Sequence, residues 1–234
     1  MDSIEWVGEE ERMILSVRTD KKDRKLYHLF AESEVPLISV HEDILIRYRL
    51  MKGQLLTAGQ AAEIRREDER YRAYILAIGY LGFKPRTRKQ IQQYLSRKEF
   101  EESNIQYALE RLESEHIVDD EQYARQFAAG RLRNSSKGRL WIKQELRQRG
   151  VSKQAAAEAV DALDRDAELA SAKAAADKKW RSVKGDQKEK KRKLIGFLMR
   201  RGFPGDIVRE AARSVETDEE EELYDDDDGL MLDN

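Results

Sequence analysis

Lysine and arginine are the residues through which this sequence most plainly offers chemistry, and two runs concentrate them. Residues 131–149 hold Arg131, Arg133, Lys137, Arg139, Lys143, Arg147 and Arg149 against the single carboxylate of Glu145. Residues 188–201 hold Lys188, Lys190, Lys191, Arg192, Lys193, Arg200 and Arg201 against Glu189 alone. Cations at that density attract phosphates or carboxylates. Spaced four apart on a helix, Arg139, Lys143 and Arg147 form a stripe beside the apolar Ile142 and Leu146, exposed when the apolar side is buried. A local role competes for some of them: Arg147, Arg149, Arg200 and Arg201 occupy last turns, where a cation meets the helix dipole for about 0.3–1 kcal/mol each. Singly, dipole pairing accounts for these four; as clusters, the two runs read as a partner- or DNA-binding surface.

Other chemistries find little support. Cysteine is absent, which removes disulfides, thiolate zinc sites and cysteine nucleophiles together. His28 in a strand and His41 at a helix start have no second His or Cys at metal spacing, and His116 has no acid or serine constellation around it. The pair Asp119-Asp120 precedes Glu121 between two helices, where carboxylates cap a helix start. There is no phosphate loop, Gly-x-Ser-x-Gly elbow or His-Glu-x-x-His motif. The expectation is a non-enzyme with no cofactor and no metal.

Charge is divided unevenly. Residues 1–70 carry 12 basic and 15 acidic side chains, residues 71–215 carry 32 and 20, and residues 216–234 carry none and 11, which together leave a formal net charge of −2. A basic body behind a neutral average is expected to meet a polyanion or an acidic protein surface. No stretch approaches the roughly 18 uninterrupted apolar residues of a membrane span. The beginning, Met1-Asp2-Ser3-Ile4-Glu5, lacks the basic-then-apolar pattern of a secretory signal, so a cytoplasmic monomer is expected.

The elements that must position these residues are mainly helices. Of the 234 residues 38% are charged, against roughly 25% in an average domain, and only 13 Gly and 3 Pro interrupt them. A small α+β module comes first, at 1–62. Met13–Val17 and Leu26–Phe30 alternate as a hairpin, Leu37–Val40 follows Pro36 as a third strand, and His41-Glu42-Asp43 opens a short helix ended by Lys52-Gly53. From Glu63 the period becomes helical, and the chain repeats itself. The segment from Ile91 to Phe100 aligns without gaps with Ile142–Val151 and with Leu194–Phe203, at offsets of 51 and 52 residues. Each copy is followed by an amphipathic stretch (Ile105, Leu109, Leu112; Ala156, Val160, Leu163; Val208, Ala212, Val215) and preceded by another helix. Gly150 and Gly202, with Glu99 in the first copy, fall where a left-handed residue closes a helix, and Thr87 with Gln90 forms a capping box. Three-helix repeats are therefore predicted over 63–118, 119–165 and 166–215, stacking as an elongated curved solenoid. Trp141, Trp180 and Phe203 read as packing residues.

These residues resemble a known family, the RecX regulators of the bacterial recombinase RecA. The resemblance is most specific in Leu112-Glu113-Ser114-Glu115-His116-Ile117-Val118-Asp119-Asp120-Glu121-Gln122-Tyr123-Ala124-Arg125-Gln126-Phe127, and continues through Arg131, Lys137-Gly138, Ile142, Leu146 and Arg149-Gly150-Val151. It covers residues 63–215, and Asp43-Ile44-Leu45 with Leu50-Met51-Lys52-Gly53-Gln54 looks like the extension of longer members. It implies binding: lodging in the RecA filament groove, lowering ATP hydrolysis and strand exchange in recombination and the DNA-damage (SOS) response, with direct contact to single- or double-stranded DNA in some members. Two alternatives use the same residues. One is a general DNA-binding helical-repeat protein without a recombinase partner; the other is a protein–protein adaptor. Two features depart from the family pattern, Gln90, which stands where an acidic residue is common, and the run Glu219–Asp228; the carboxylates of 216–234 predict a disordered tail that either confers solubility or competes for the basic body.

Overall fold

The structure is a computed structural model that describes residues 11–225, with side chains described for 11–215. It forms two compact units. One contains the chain up to Arg86 together with Ile91–Val118; the other contains Thr87–Gln90 together with the chain from Asp119 onward.

The first unit opens with strands β1 (Arg12–Met13), β2 (Ser16–Thr19), β3 (Leu26–Phe30) and β4 (Ile38–His41), then helix α1 (Glu42–Arg47) and strand β5 (Leu55–Leu56). β2, β3 and β4 form an antiparallel meander with Ser16 opposite Phe30 and Leu26 opposite His41, while β1 pairs with β5. The single strand expected over Met13–Val17 is thus two strands in two sheets. The break lies at Ile14, whose N–H donates to Gln54 and whose carbonyl accepts from Gly53, while the next N–H, on Leu15, donates to Phe30. Ile14 itself is fully buried with Leu29, Val40, Ile44 and Leu56. The β2–β3 turn is held by Asp20, whose carboxylate accepts from the N–H groups of Lys22 and Asp23 and lies 3.1 Å from His28 Nε2. The Asp23 N–H foremost, then His28 and the Lys22 N–H, bring its carboxyl down to about 2. The expected short helix ends at Arg47, earlier than Lys52-Gly53.

Helix α2 (Ala58–Leu81) starts ahead of Glu63 because Thr57 and Gln60 make a reciprocal capping box. It crosses the boundary expected after residue 62. Ala61 and Ile64 complete the core of the strands, and Ala73, Tyr74 and Ala77 enter the core of the first repeat with α3 (Arg88–Ser96) and α4 (Glu102–Ser114). Repeat 2 is α5 (Asp120–Ser135), α6 (Arg139–Gln148) and α7 (Lys153–Asp161); repeat 3 is α8 (Arg165–Trp180), α9 (Gln187–Arg200) and α10 (Gly205–Asp225). The internal alignment holds in three dimensions. Ile91, Ile142 and Leu194 are each fully buried, as are Leu95, Leu146 and Leu198. Each middle helix ends the same way: Glu99, Gly150 and Gly202 are left-handed (φ 63°, 96° and 81°), and the next N–H, on Phe100, Val151 and Phe203, returns to the carbonyl of Leu95, Leu146 and Leu198. Trp180 and Phe203 are buried and Trp141 is half-buried, as packing residues. α10 runs ten residues into the acidic stretch expected to be disordered; the rest of that stretch, 226–234, lies outside the described residues.

Within the second unit, successive middle helices are joined end to start. The Gly138 N–H donates to Arg201 and the Leu140 N–H to Gly202, so the last turn of α9 abuts the first turn of α6. A Cβ on Gly202 would lie 2.3 Å from the Trp141 nitrogen, and one on Gly138 the same distance from the Gly202 carbonyl oxygen. The last turn of α6 meets the first turn of α3 in the same manner: Thr87 Oγ1 donates to the Arg149 carbonyl at 2.6 Å, and a Cβ on Gly150 would lie 2.4 Å from that of Lys89.

Gly202→Ala is expected to lower stability in urea denaturation by at least the 1–3 kcal/mol typical of a strained backbone position. Gly79→Ala, inside α2 with nothing within 4 Å of the added carbon, is expected to raise it by roughly 0.5–1 kcal/mol. Because folding lowers the Asp20 pKa, its contribution is complete above the unfolded value of about 3.9 and is lost as pH falls through about 2. An NMR titration of its side-chain carboxyl should therefore give a midpoint near 2, and one near 3.9 would contradict the turn geometry.

Candidate functional site

The fourteen cations singled out in the sequence divide into two groups. Arg131 on α5 lies 2.9 Å from Glu145, with its guanidinium 5.0 Å from the Phe127 ring and 5.7 Å from that of Trp141. Arg149, at the end of α6, bonds the same Glu145 oxygen at 2.6 Å and donates to the Tyr123 hydroxyl. Its burial works against the charge, but Glu145 and Tyr123 outweigh it and hold the guanidinium above its ordinary value. The one acid in the first basic run therefore clamps two arginines from α5 and α6 inside repeat 2.

Arg139 joins repeats. Gly138 at the start of α6 has no side chain to cap the helix, and fully buried Glu168 of α8 takes that place. One Glu168 oxygen accepts the Arg139 N–H at 2.8 Å and the other accepts Nε at 2.7 Å. Asp120 does the equivalent at the first turn of α3, accepting the Arg88 N–H at 2.9 Å, while Asp119 caps α5 through the N–H groups of Glu121 and Gln122. Arg201 reaches the other way, donating from Nη1 to the carbonyls of Ser135 and Ser136 at the end of α5. Lys137 Nζ sits 4.2 Å from the Trp141 ring centroid.

Arg131, Arg139, Arg149 and Arg201 thus act as joints of the fold. The expected stripe of Arg139, Lys143 and Arg147 loses its first member, because Arg139 is drawn to a buried carboxylate 29 residues away. What stands at the surface is Arg133 on α5, Arg147 on α6, and Lys188, Arg192, Lys193 and Arg200 on α9, with Lys143, Lys190 and Lys191 half-buried. On α9 these cations border two grooves. Lys188, Lys191 and Arg192, together with Asp186 and Glu189, surround Ile195, and Arg192, Lys193 and Arg200 face Lys179 and Lys184 across the turn that follows α8. Lys179 and Lys184 were not among the residues expected from sequence; the basic last turn of α8 is the signal that marks Lys179, and Lys184 lies in the turn beyond it.

Among the described residues, one trio brings potential metal-ligating atoms within 4.8 Å of one another, His41, Glu42 and Asp43. These are consecutive residues at the start of α1, where His41 Nδ1 accepts the Asp43 N–H as a helix cap. His116 is the left-handed residue after α4 (φ 55°). No described helix is long and apolar enough to cross a membrane.

Removing the Glu168 carboxylate should strand an N–H and a guanidinium at the repeat junction. Glu168→Ala is therefore expected to cost about 2 kcal/mol or more of folding stability, whereas Arg147→Ala, at an exposed position, should stay within about 0.5 kcal/mol. Chemical denaturation of the two variants side by side checks the division of the arginines.

Comparison with known proteins places three family profiles in register with the repeats: "RecX, first three-helix domain" on residues 73–112, "RecX, second three-helix domain" on 119–160 and "RecX, third three-helix domain" on 166–212. A protein of Halalkalibacterium halodurans named regulatory protein RecX is 31% identical over 214 residues, spanning 90% of this chain and 80% of its own. A namesake in Oceanobacillus iheyensis is 30% identical over 214 residues, spanning 89% and 79%. A crystal structure described as regulatory protein RecX superposes with a TM-score of 0.71 at 25% identity, covering 85% of this chain and 97% of that one. The structure of RecX from Lactobacillus salivarius gives 0.61 at 23% identity over 64% and 99%, a likeness of fold.

Proposed function

As this chain belongs to the RecX family of regulatory proteins, we propose that it binds the filament of the RecA recombinase and lowers ATP hydrolysis and strand exchange during recombination and DNA repair. The observation that carries this reading is the surface charge left once the arginine joints are subtracted. Lys143 and Arg147 on α6, and Lys188, Arg192, Lys193 and Arg200 on α9, stand exposed or half-exposed on the middle helices of two consecutive repeats. The two middle helices, joined end to start, each carry cations, at different positions of the repeat because Lys143 and Arg147 align with Ile195 and Met199, and together offer several basic sites to a partner that itself repeats. Linked weak sites of this kind gain affinity through effective concentration rather than through any one strong contact.

The role is one of occupancy, and it asks nothing of a catalytic group. The chain acts as a monomer in the cytoplasm, where the filament forms. A second reading, direct binding to DNA, is favoured by the α9 grooves, whose cations match the spacing-tolerant recognition of phosphates. Binding would then fall steeply with salt whether or not recombinase were present.

The test is ATP turnover by RecA on single-stranded DNA. The purified chain is expected to lower it, and the pair Lys143→Glu with Arg147→Glu to weaken that inhibition several-fold at unchanged folding stability. Turnover unaffected by the wild-type chain at any ratio would dismiss the recombinase reading; inhibition untouched by the two reversals would move the contact away from α6.

A further inference from the structure

A groove of about 500 Å³ lies against α2 in the first unit. Ile75, Leu76 and Gly79 of α2 line it, together with the aromatic side chains of Tyr80, Phe83, Tyr94 and Phe100. Lys25 and Arg72, both exposed, add positive charge, and Asp23 is the one carboxylate among the lining residues. Asp23 is turned to its own backbone, accepting the Lys25 N–H at 3.0 Å. The Lys25 ammonium is 3.7 Å from Glu42, an exposed pair and therefore a weak one.

Three features of this groove do nothing for the packing of the unit. Phe83 is 89% exposed, the most exposed large apolar side chain among the described residues, where it makes no ring or cation contact. Tyr80 and Tyr94 stack with centroids 4.0 Å apart and planes 8° apart, and the Arg86 guanidinium, 4.3 Å from the Tyr80 centroid, takes that ring's other face, so the aromatic wall is backed by a cation. Gly79 is helical rather than left-handed, closes no turn, and has nothing within 4 Å of an added Cβ. A glycine inside a helix costs roughly 0.5–1 kcal/mol relative to alanine. What it leaves in return is a bare patch of backbone on the groove floor.

We propose that this groove binds single-stranded nucleic acid, a base stacking on Phe83 against the floor left open at Gly79 while Lys25 and Arg72 meet the phosphates. Aromatic faces beside cations are the combination that unpaired bases and their backbone call for, largely without regard to sequence. A duplex keeps its bases stacked inside and offers Phe83 no face. An apolar peptide would use the rings but leave the two exposed cations unanswered. The site shares no residue with α6 or α9, and it stands independently of the recombinase reading.

Anisotropy of a labelled oligothymidine, titrated with the full chain over a range of salt, reads the site. Phe83→Ala removes a ring that already stands in solvent, so stability in urea should be unchanged while affinity falls about fivefold or more, the equivalent of one lost base stack. The slope of log K on log salt should stay the same, because no charge has been removed, whereas Arg72→Gln should lower both affinity and slope. Gly79→Gln fills open space on the floor without adding charge; it should fold at least as stably as wild type and bind several-fold more weakly. An oligothymidine carrying 5-iodouracil should crosslink under near-ultraviolet light to the peptide that contains Phe83. No binding by the wild-type chain, or an affinity that either Phe83→Ala or Gly79→Gln leaves unchanged, would overturn the site and give the groove to an apolar peptide instead. No arm contains the recombinase or alters α6 or α9, so failure here and failure of the recombinase reading are told apart.

Discussion

The first turn of a helix presents N–H groups with no partner inside the helix, and burying them unpaired is costly. In this chain the first turns of α3 and α6 lie where the next repeat covers them, and the next repeat supplies what they lack. Asp120 and Glu168, from the first helices of repeats 2 and 3, accept the N–H groups of Arg88 and Arg139. Beside them the glycine ends of α6 and α9 come close enough to leave no room for a Cβ. Within the second unit, capping α6 from the following repeat ties the stability of repeat 2 to that of repeat 3, which is the physical basis on which repeat proteins gain more from stacking than a single repeat can supply.

That junction also decides what the basic residues are for. Read along the chain, the cations of 131–149 look alike, but a carboxylate buried at the junction or inside repeat 2 selects some of them. Glu145 takes Arg131 and Arg149, Glu168 takes Arg139, and the carbonyl end of α5 takes Arg201. These bonds are directional, and their carboxylates are mostly or fully buried while the guanidinium groups stay half-buried. Arg147 on α6 and much of the α9 set keep their charge toward solvent, with Lys143 half-buried beside them; these are the cations the proposed partner would meet. Arginine, with its planar fork of donors, fills all four joints, while most of the cations on the exposed first half of α9 are lysines.

Much of the helical fold is legible in the sequence because its determinants are local. The left-handed closures at Glu99, Gly150 and Gly202, the buried Ile91, Ile142 and Leu194, the Thr87–Gln90 capping box and the Asp119 cap all depend on residues within a few positions of one another. The start of α2 lies ahead of the apolar period that begins near Glu63, because Thr57 and Gln60 cap it there. Less local features were not legible. Ile14 splits a continuous alternating run because its backbone partners, Gly53 and Gln54, lie some forty residues on. Nothing near Arg139 distinguishes it from Lys143, since the deciding Glu168 belongs to the next repeat. The candidate surface was accordingly legible as two charged runs but not as the subset of side chains left exposed.

Whether that subset meets a recombinase filament is a question of co-sedimentation. The purified chain should pellet with RecA assembled on single-stranded DNA, saturating with filament, and should pellet far less with the same DNA alone. A chain that stays in the supernatant with the filament, or that pellets equally with bare DNA, would contradict a regulator directed at RecA.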